Sequence, residues 1–221
     1  MKLLVCGDSY ATNHIELSWL RLVEDHFNCK DTTTNLARAA SSFNYSYKKL
    51  THALNTDGYD VVIFALTSAD RLYHRDILIH GGFPQYNDGT PVSNKLKEII
   101  NSYYLYLYDS ENTALFHSMA CHALAQISLE FPNTKFIFIP AFTNFEKIKK
   151  GNCVITSDEL LYYSKLDEIG HNAEIRGEPN ERPNHLTFRQ NQTLSNYVIN
   201  FINNYEFGIA NYKSLDRLKI L

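Results

Sequence analysis

An α/β fold built on a parallel sheet is what this sequence predicts, on three observations. The runs Lys2–Cys6 (KLLVC), Asp60–Leu66 (DVVIFAL) and Lys135–Ala141 (KFIFIPA) are apolar on both parities, as strands covered on both faces must be. Amphipathic stretches at helical spacing lie between them. No hairpin signal joins one main strand to the next, so the connections read as crossovers.

Each element follows from its own pattern. Lys2–Cys6 is the first strand, and Trp19, Leu20, Val23 and Phe27 then recur at helical spacing. A short extended stretch runs through Thr33–Leu36, after which Tyr47, Leu50 and Leu54 mark one face of a second helix. Beyond the 60–66 strand, ALFHSMACHALAQISLEF places Phe116, Met119, Ala120, Ala123, Leu124, Ile127 and Phe131 on one stripe, and Pro132 stops it. The 135–141 strand comes next. The last helix carries Leu194, Tyr197, Val198, Phe201, Ile202 and Tyr205 in register, and Thr187-Phe188-Arg189-Gln190 at its start reads as a capping box.

Two insertions exceed a minimal α/β unit. Residues 71–113 hold a turn-rich piece, HGGFPQYNDGTP, and a tyrosine-rich helical run, LKEIINSYYLYLY; residues 145–184 are polar. Long excursions serve as binding loops or lids, or extend the surface and make dimer contacts. Tyr103, Tyr104, Tyr106 and Tyr108 are assigned to packing ahead of a sugar-binding surface. With no repeat, low-complexity tract or linker, residues 1–221 read as one domain.

Composition narrows the function. Apolar residues make up 44% of the 221, enough for a real core, and the net charge of −3 gives no basic field for nucleic acid or an anionic membrane. No run approaches the ~20 apolar residues of a membrane span. MKLLVCGDSY is too short an apolar start for a secretion signal, so a cytoplasmic protein is expected, release by lysis being consistent with the same sequence. Cys6, Cys29, Cys121 and Cys153 form no C-x-x-C pair, and neither phosphate-cradling glycine motif follows the first strand. No metal or cofactor is expected.

Chemistry is expected where strand ends meet, since ligands of open α/β sheets collect at the carboxyl ends of the strands. Ser9 follows the first strand in Gly7-Asp8-Ser9, Ala40-Ser41-Ser42 follows the second, and Thr67-Ser68-Ala69-Asp70 follows the third. A serine becomes a nucleophile only with a base to take its proton and donors to hold the oxyanion. His26, His52, His117 and His122 fall on helices, and His14 begins the stretch leading into one. His185 differs, because it sits in the loop that feeds the last helix and reaches the strand-end edge.

Gly7-Asp8-Ser9, NLARAASS (35–42), FALTSAD (64–70) and NHLTFRQNQTLSNYV (184–198), in that order, resemble the four blocks of the SGNH hydrolase superfamily, the GDSL esterases and lipases. The variants at the second and third blocks are similar to divergent members found in phages and large viruses. The resemblance implies a three-layer α/β/α flavodoxin-like fold with a central parallel sheet of about five strands. It further implies Ser9 as nucleophile, His185 as general base, and the Ser9 N–H as part of an oxyanion hole. The substrate it implies is a small ester, an O-acetylated carbohydrate among the candidates, with a homo-oligomer left open.

Three departures stand beside the matches. Ala40 occupies the usual second-block glycine; its N–H still donates if the loop needs no positive φ. Ala69 occupies the oxyanion asparagine, leaving Ser68 or Thr67 to supply a hydroxyl. Arg182 stands where the family has its aspartate, so Glu181 or Glu178 is the candidate acid partner, or a backbone carbonyl orients a Ser-His dyad. Replacing that acid in a serine protease costs about 10⁴ in rate. Arg71 either binds an acidic substrate group at the site mouth or pairs with Asp70 or another loop carboxylate, and Asp8 serves the turn. The alternative to an esterase is a degenerate module of the same fold that binds a glycan or protein partner.

Overall fold

The computed structural model describes residues 1–12, 17–68, 71–74, 77–80, 83–86, 91–140, 154–156, 186, 188–205 and 212–214. Its centre is a parallel sheet of β1 (Leu3–Cys6), β2 (Thr33–Asn35), β3 (Val61–Leu66) and β7 (Lys135–Pro140) in the order β2-β1-β3-β7. Two short strands, β8 (Val154–Thr156) and β9 (Tyr212–Ser214), continue it beyond β7, also in parallel. Register is continuous across the middle, with Leu3 beside Val61, Cys6 beside Phe64, and Val61 beside Lys135.

Alternation along these strands builds two apolar layers. Leu3, Val5, Val61, Ile63, Ala65, Ile137 and Ile139 pack with α1 (Trp19–Phe27) and α5 (Phe188–Asn203). Leu4, Cys6, Val62, Phe64, Leu66, Phe136 and Phe138 face the other way, onto α2 (Phe43–Thr56) and α4 (Ser110–Glu130). Both parities are therefore buried, which is why these runs are apolar throughout. The three layers and the spatial order 2-1-3-4 of the main strands are those of a flavodoxin-like fold.

Local chemistry sets the helix ends. Ser18 and Ser42 accept hydrogen bonds from Arg21 N–H and Tyr45 N–H to cap α1 and α2. Asn28, left-handed at φ +48°, stops α1: its N–H donates to the Asp25 carbonyl and Cys29 N–H to that of Glu24. The capping box expected at Thr187 lies outside the described residues.

Two differences from the expected pattern are informative. The helical stripe assigned to α4 is rotated at Met119, which is 61% exposed, while Ala120, Cys121, Leu124, Ala125 and Ser128 are buried. The buried face joins small residues to Leu124 and Ile127, and the methionine stays outside. Within 71–113 an antiparallel meander of β4 (Leu72–His74), β5 (Ile77–His80) and β6 (Phe83–Tyr86) runs into the turn-rich piece. Ile77 and Ile79 pack with Ile100 of α3 (Asn94–Tyr106) in a small core of their own, joined by Tyr104. Tyr106, by contrast, is 80% exposed. The meander leaves the sheet from the carboxyl end of β3, and Tyr73 meets Tyr45 in the first turn of α2 edge to face.

Candidate active site

In this strand order the chain steps outward from β1 to β2, then returns across β1 to β3. The carboxyl ends of β1 and β3 therefore flank the switch point where ligands of such sheets bind. Gly7-Asp8-Ser9 leaves β1 there, and Thr67-Ser68 leaves β3 beside it.

Gly7 has to be glycine. Its φ is +139°, and a Cβ would lie 2.6 Å from the Ala65 carbonyl oxygen and 2.7 Å from the Ala65 Cβ. This close approach bends the chain out of β1 and lets Ser9 begin a single 3-10 turn, Ser9–Ala11. The buried Asp8 carboxylate caps that turn, its Oδ1 accepting from Tyr10 N–H at 3.1 Å. Thr12 donates its hydroxyl to the Ser9 carbonyl at 2.7 Å, and the Trp19 indole N–H donates to the Tyr10 carbonyl at 2.7 Å. Half-buried Ser9 thus sits on a turn held from several directions.

Ala40 has φ +61°, so the loop does need the positive φ that alanine disfavours. An L-residue there is strained, as a glycine would not be. Among the described residues no hydrogen bond runs from the N–H of Ser9 or of Ala40 to another described group.

Of the two hydroxyls that follow β3, Thr67 is buried and donates to Asp8 Oδ2 at 3.3 Å, whereas Ser68 is half-buried. Arg71 is also buried, and its Nη1 donates to the same Asp8 Oδ2 at 2.8 Å. Among the described residues it thus pairs with the loop carboxylate of Asp8. Burial pushes the Asp8 carboxyl above its ordinary pKa, against the opposing pull of Arg71 and of its hydrogen bonds to Tyr10 and Thr67.

His185, Glu181, Glu178, Arg182, Ala69 and Asp70 lie outside the described residues. Leu186, next to His185 in sequence, is described. It is buried in the same apolar cluster as Tyr10, Ala11 and Trp19, and its carbonyl accepts from Asn191 Nδ2 at 3.0 Å. Asn191 Oδ1 in turn accepts from Trp19 N–H at 2.8 Å, so one buried amide joins the start of α5 to the start of α1. That bridge went unread in the sequence, where Asn191 appeared only within the last block.

His26, His52 and His122 are exposed. No group of three or more His, Cys, Asp or Glu among the described residues is placed to hold a metal, and no described helix is long and apolar enough to cross a membrane.

Among solved structures, the chain is similar to a psychrotrophic esterase, EstA, from Pseudoalteromonas sp., in a structure inhibited by monoethylphosphonate (TM-score 0.43, 12% identity, 91% of this chain and 96% of that one). It is similar to an acetyl xylan esterase, AlAXEase (TM-score 0.46, 12% identity, 90% and 98%). A third is a carbohydrate acetylesterase family member from Sinorhizobium meliloti (TM-score 0.42, 11% identity, 92% and 98%). No protein-family model and no curated protein matches the chain.

Proposed function

We propose that the protein is a serine esterase of SGNH type acting on a small ester, with Ser9 as nucleophile and His185 as general base. The observation that carries this reading is the position of Ser9: first residue of a braced turn, at the carboxyl end of β1, on the switch point of the sheet. The burial of Leu186 in the apolar cluster that also holds Tyr10 and Ala11 supports the role of its neighbour His185.

In the proposed reaction His185 takes the Ser9 proton as Oγ attacks the ester carbonyl, giving a tetrahedral intermediate. The N–H of Ser9 and the Ser68 hydroxyl stabilise its oxyanion, joined by the N–H of Ala40, which the left-handed backbone presents as a glycine would, at the cost of strain. His185 then returns the proton to the departing alcohol, and water, deprotonated by the same imidazole, releases the acid. Loss of one oxyanion donor typically costs about 10²–10³ in rate, so Ser68 answers for the asparagine that Ala69 replaces. Glu181 serves as the acid partner of His185: Glu181→Gln lowers kcat, and Glu178→Gln leaves it unchanged.

A fluorophosphonate probe with mass spectrometry tests the reading. The expected result is one adduct, on Ser9, absent in Ser9→Ala and lost in His185→Ala, with aryl acetates hydrolysed faster than longer acyl esters. No adduct and no turnover would refute it. That result would leave a glycan- or protein-binding module, which Arg182, Ala69 and the strain at Ala40 favour.

A further inference from the structure

We propose that Asp8 and Arg71 are positioning residues, a buried ion pair that locks the Ser9 turn to the loops following β2 and β3. The catalytic consequence rests on the esterase reading; the mechanical one does not. Asp8 is 0% exposed and Arg71 5%, and they meet at 2.8 Å across 63 residues of sequence. One carboxylate oxygen holds the Ser9 turn through Tyr10 N–H; the other holds the loop after β3 through Arg71 and Thr67. The same Arg71 Nη1 lies 3.5 Å from the carbonyl of Ser41, the residue after Ala40.

Gly7 completes the arrangement from the backbone side. Its carbonyl accepts from Arg38 N–H at 2.9 Å, from the Ser41 hydroxyl at 2.8 Å and from the Ser46 hydroxyl at 3.3 Å. The two residues immediately before the nucleophile are thus tied to both neighbouring loops, and Ala40 hangs between Arg38 and Ser41. A guanidinium has several donors at fixed angles, so it fixes orientation as well as charge; an ammonium supplies the charge alone. A carboxylate–guanidinium pair kept only for stability is replaceable by neutral groups of similar volume. A pair that aligns donors with a nucleophile is not, because small displacements of reacting groups cost large factors in rate.

The test uses Arg71→Lys and the double variant Asp8→Asn/Arg71→Met, in which no buried charge is left unpaired. Hydrogen exchange in residues 9–12 and 38–42 is measured beside the Ser9 fluorophosphonate labelling rate, with exchange in 61–66 as the internal standard. The expected result is unchanged protection in 61–66, faster exchange in both loops by about tenfold, and labelling slower by about tenfold or more, while the KM for an aryl acetate, measured alongside, is little altered. Loop exchange and labelling both within about twofold of the parent would overturn the proposal. A parent protein that does not label, with loop exchange still coupled to the pair, sinks the esterase reading and sustains the positioning role. If both variants fail to fold, Thr67→Val is read in the same way: it keeps the ion pair and removes one hydrogen bond to Asp8, and unchanged loop exchange counts against the proposal.

Discussion

Replacing Gly7 by alanine separates a glycine required by geometry from one that merely fills a turn. The added Cβ would sit 2.6 Å from the Ala65 oxygen and 2.7 Å from its Cβ, atoms of the central strand β3 that cannot swing aside. Relieving that overlap by shifting strands costs about 1–3 kcal/mol. Holding an L-residue at φ +139° adds about 1–3 kcal/mol, and the stiffer unfolded chain returns about 0.4–1 kcal/mol. The net expectation is a loss of about 2–5 kcal/mol, or roughly 5–20 °C in Tm for a chain of this size. Gly58 is the matched control. A Cβ there meets nothing within 4 Å and its φ lies outside the left-handed range, so Gly58→Ala is expected to stabilise by about 0.4–1 kcal/mol. Urea and thermal unfolding followed by circular dichroism measure both. If Gly7→Ala lies within about 1 kcal/mol of the parent, the close approach of β1 and β3 is not what selects glycine.

Ala40→Gly exchanges left-handed strain of about 1–2 kcal/mol for an unfolded-state penalty of about 0.4–1 kcal/mol, so a gain of about 0.6–1 kcal/mol is expected. Ala40→Val lowers Tm instead, and a Tm drop in Ala40→Gly would contradict the strain argument. Asn191→Asp still accepts from Trp19 N–H but opposes the Leu186 carbonyl with a negative charge; unfolding titrations should show it losing about 1–3 kcal/mol, as much as or more than Asn191→Ala. Burial pushes the Cys6 thiol from 9.0 up to about 12, so at pH 8.5 iodoacetamide should modify this cysteine only after urea is added. The sign of the linkage follows: the stability that this thiol contributes is full below pH 9 and is lost as pH rises toward 12, which alkaline melts will record as a falling Tm.

What could be read from the sequence was what depends on near neighbours along the chain. Val61–Leu66 is apolar at every position because both its faces are covered, and Trp19, Leu20 and Val23 repeat because one side of α1 meets the sheet. Met119 shows that hydrophobicity alone does not fix burial: α4 packs through Ala120, Cys121, Leu124, Ala125 and Ile127 and leaves the methionine exposed. The meander was hidden by its brevity: strands of three or four residues, one containing Pro84, carry little pattern, although the Gly81-Gly82 pair between β5 and β6 is a hairpin signal. At the site, Gly7 and Ser9 stood out from their position at a strand end. The partnership of Asp8 with Arg71 did not, because it exists only once β1 and β3 lie side by side. The left-handed φ of Ala40 was legible only as a question, raised by its match to a glycine position, since an alanine does not announce its φ.

The buried amide of Asn191, seated on the first turn of α1, also sets an order of events during synthesis. Trp19 and Asn191 are separated by 172 residues, which at ~5–20 residues per second is about 10–35 s of translation. Through that interval Leu3, Val5, Leu20 and Val23 have emerged, but Leu194, Val198, Phe201 and Ile202, which cover them, have not. One apolar face of the nascent sheet must therefore wait open while the opposite face, served by α2 and α4, is closed earlier. Chaperone demand should concentrate on the α1 side of the growing chain, and a ribosome stalled before residue 194 should present a half-covered sheet.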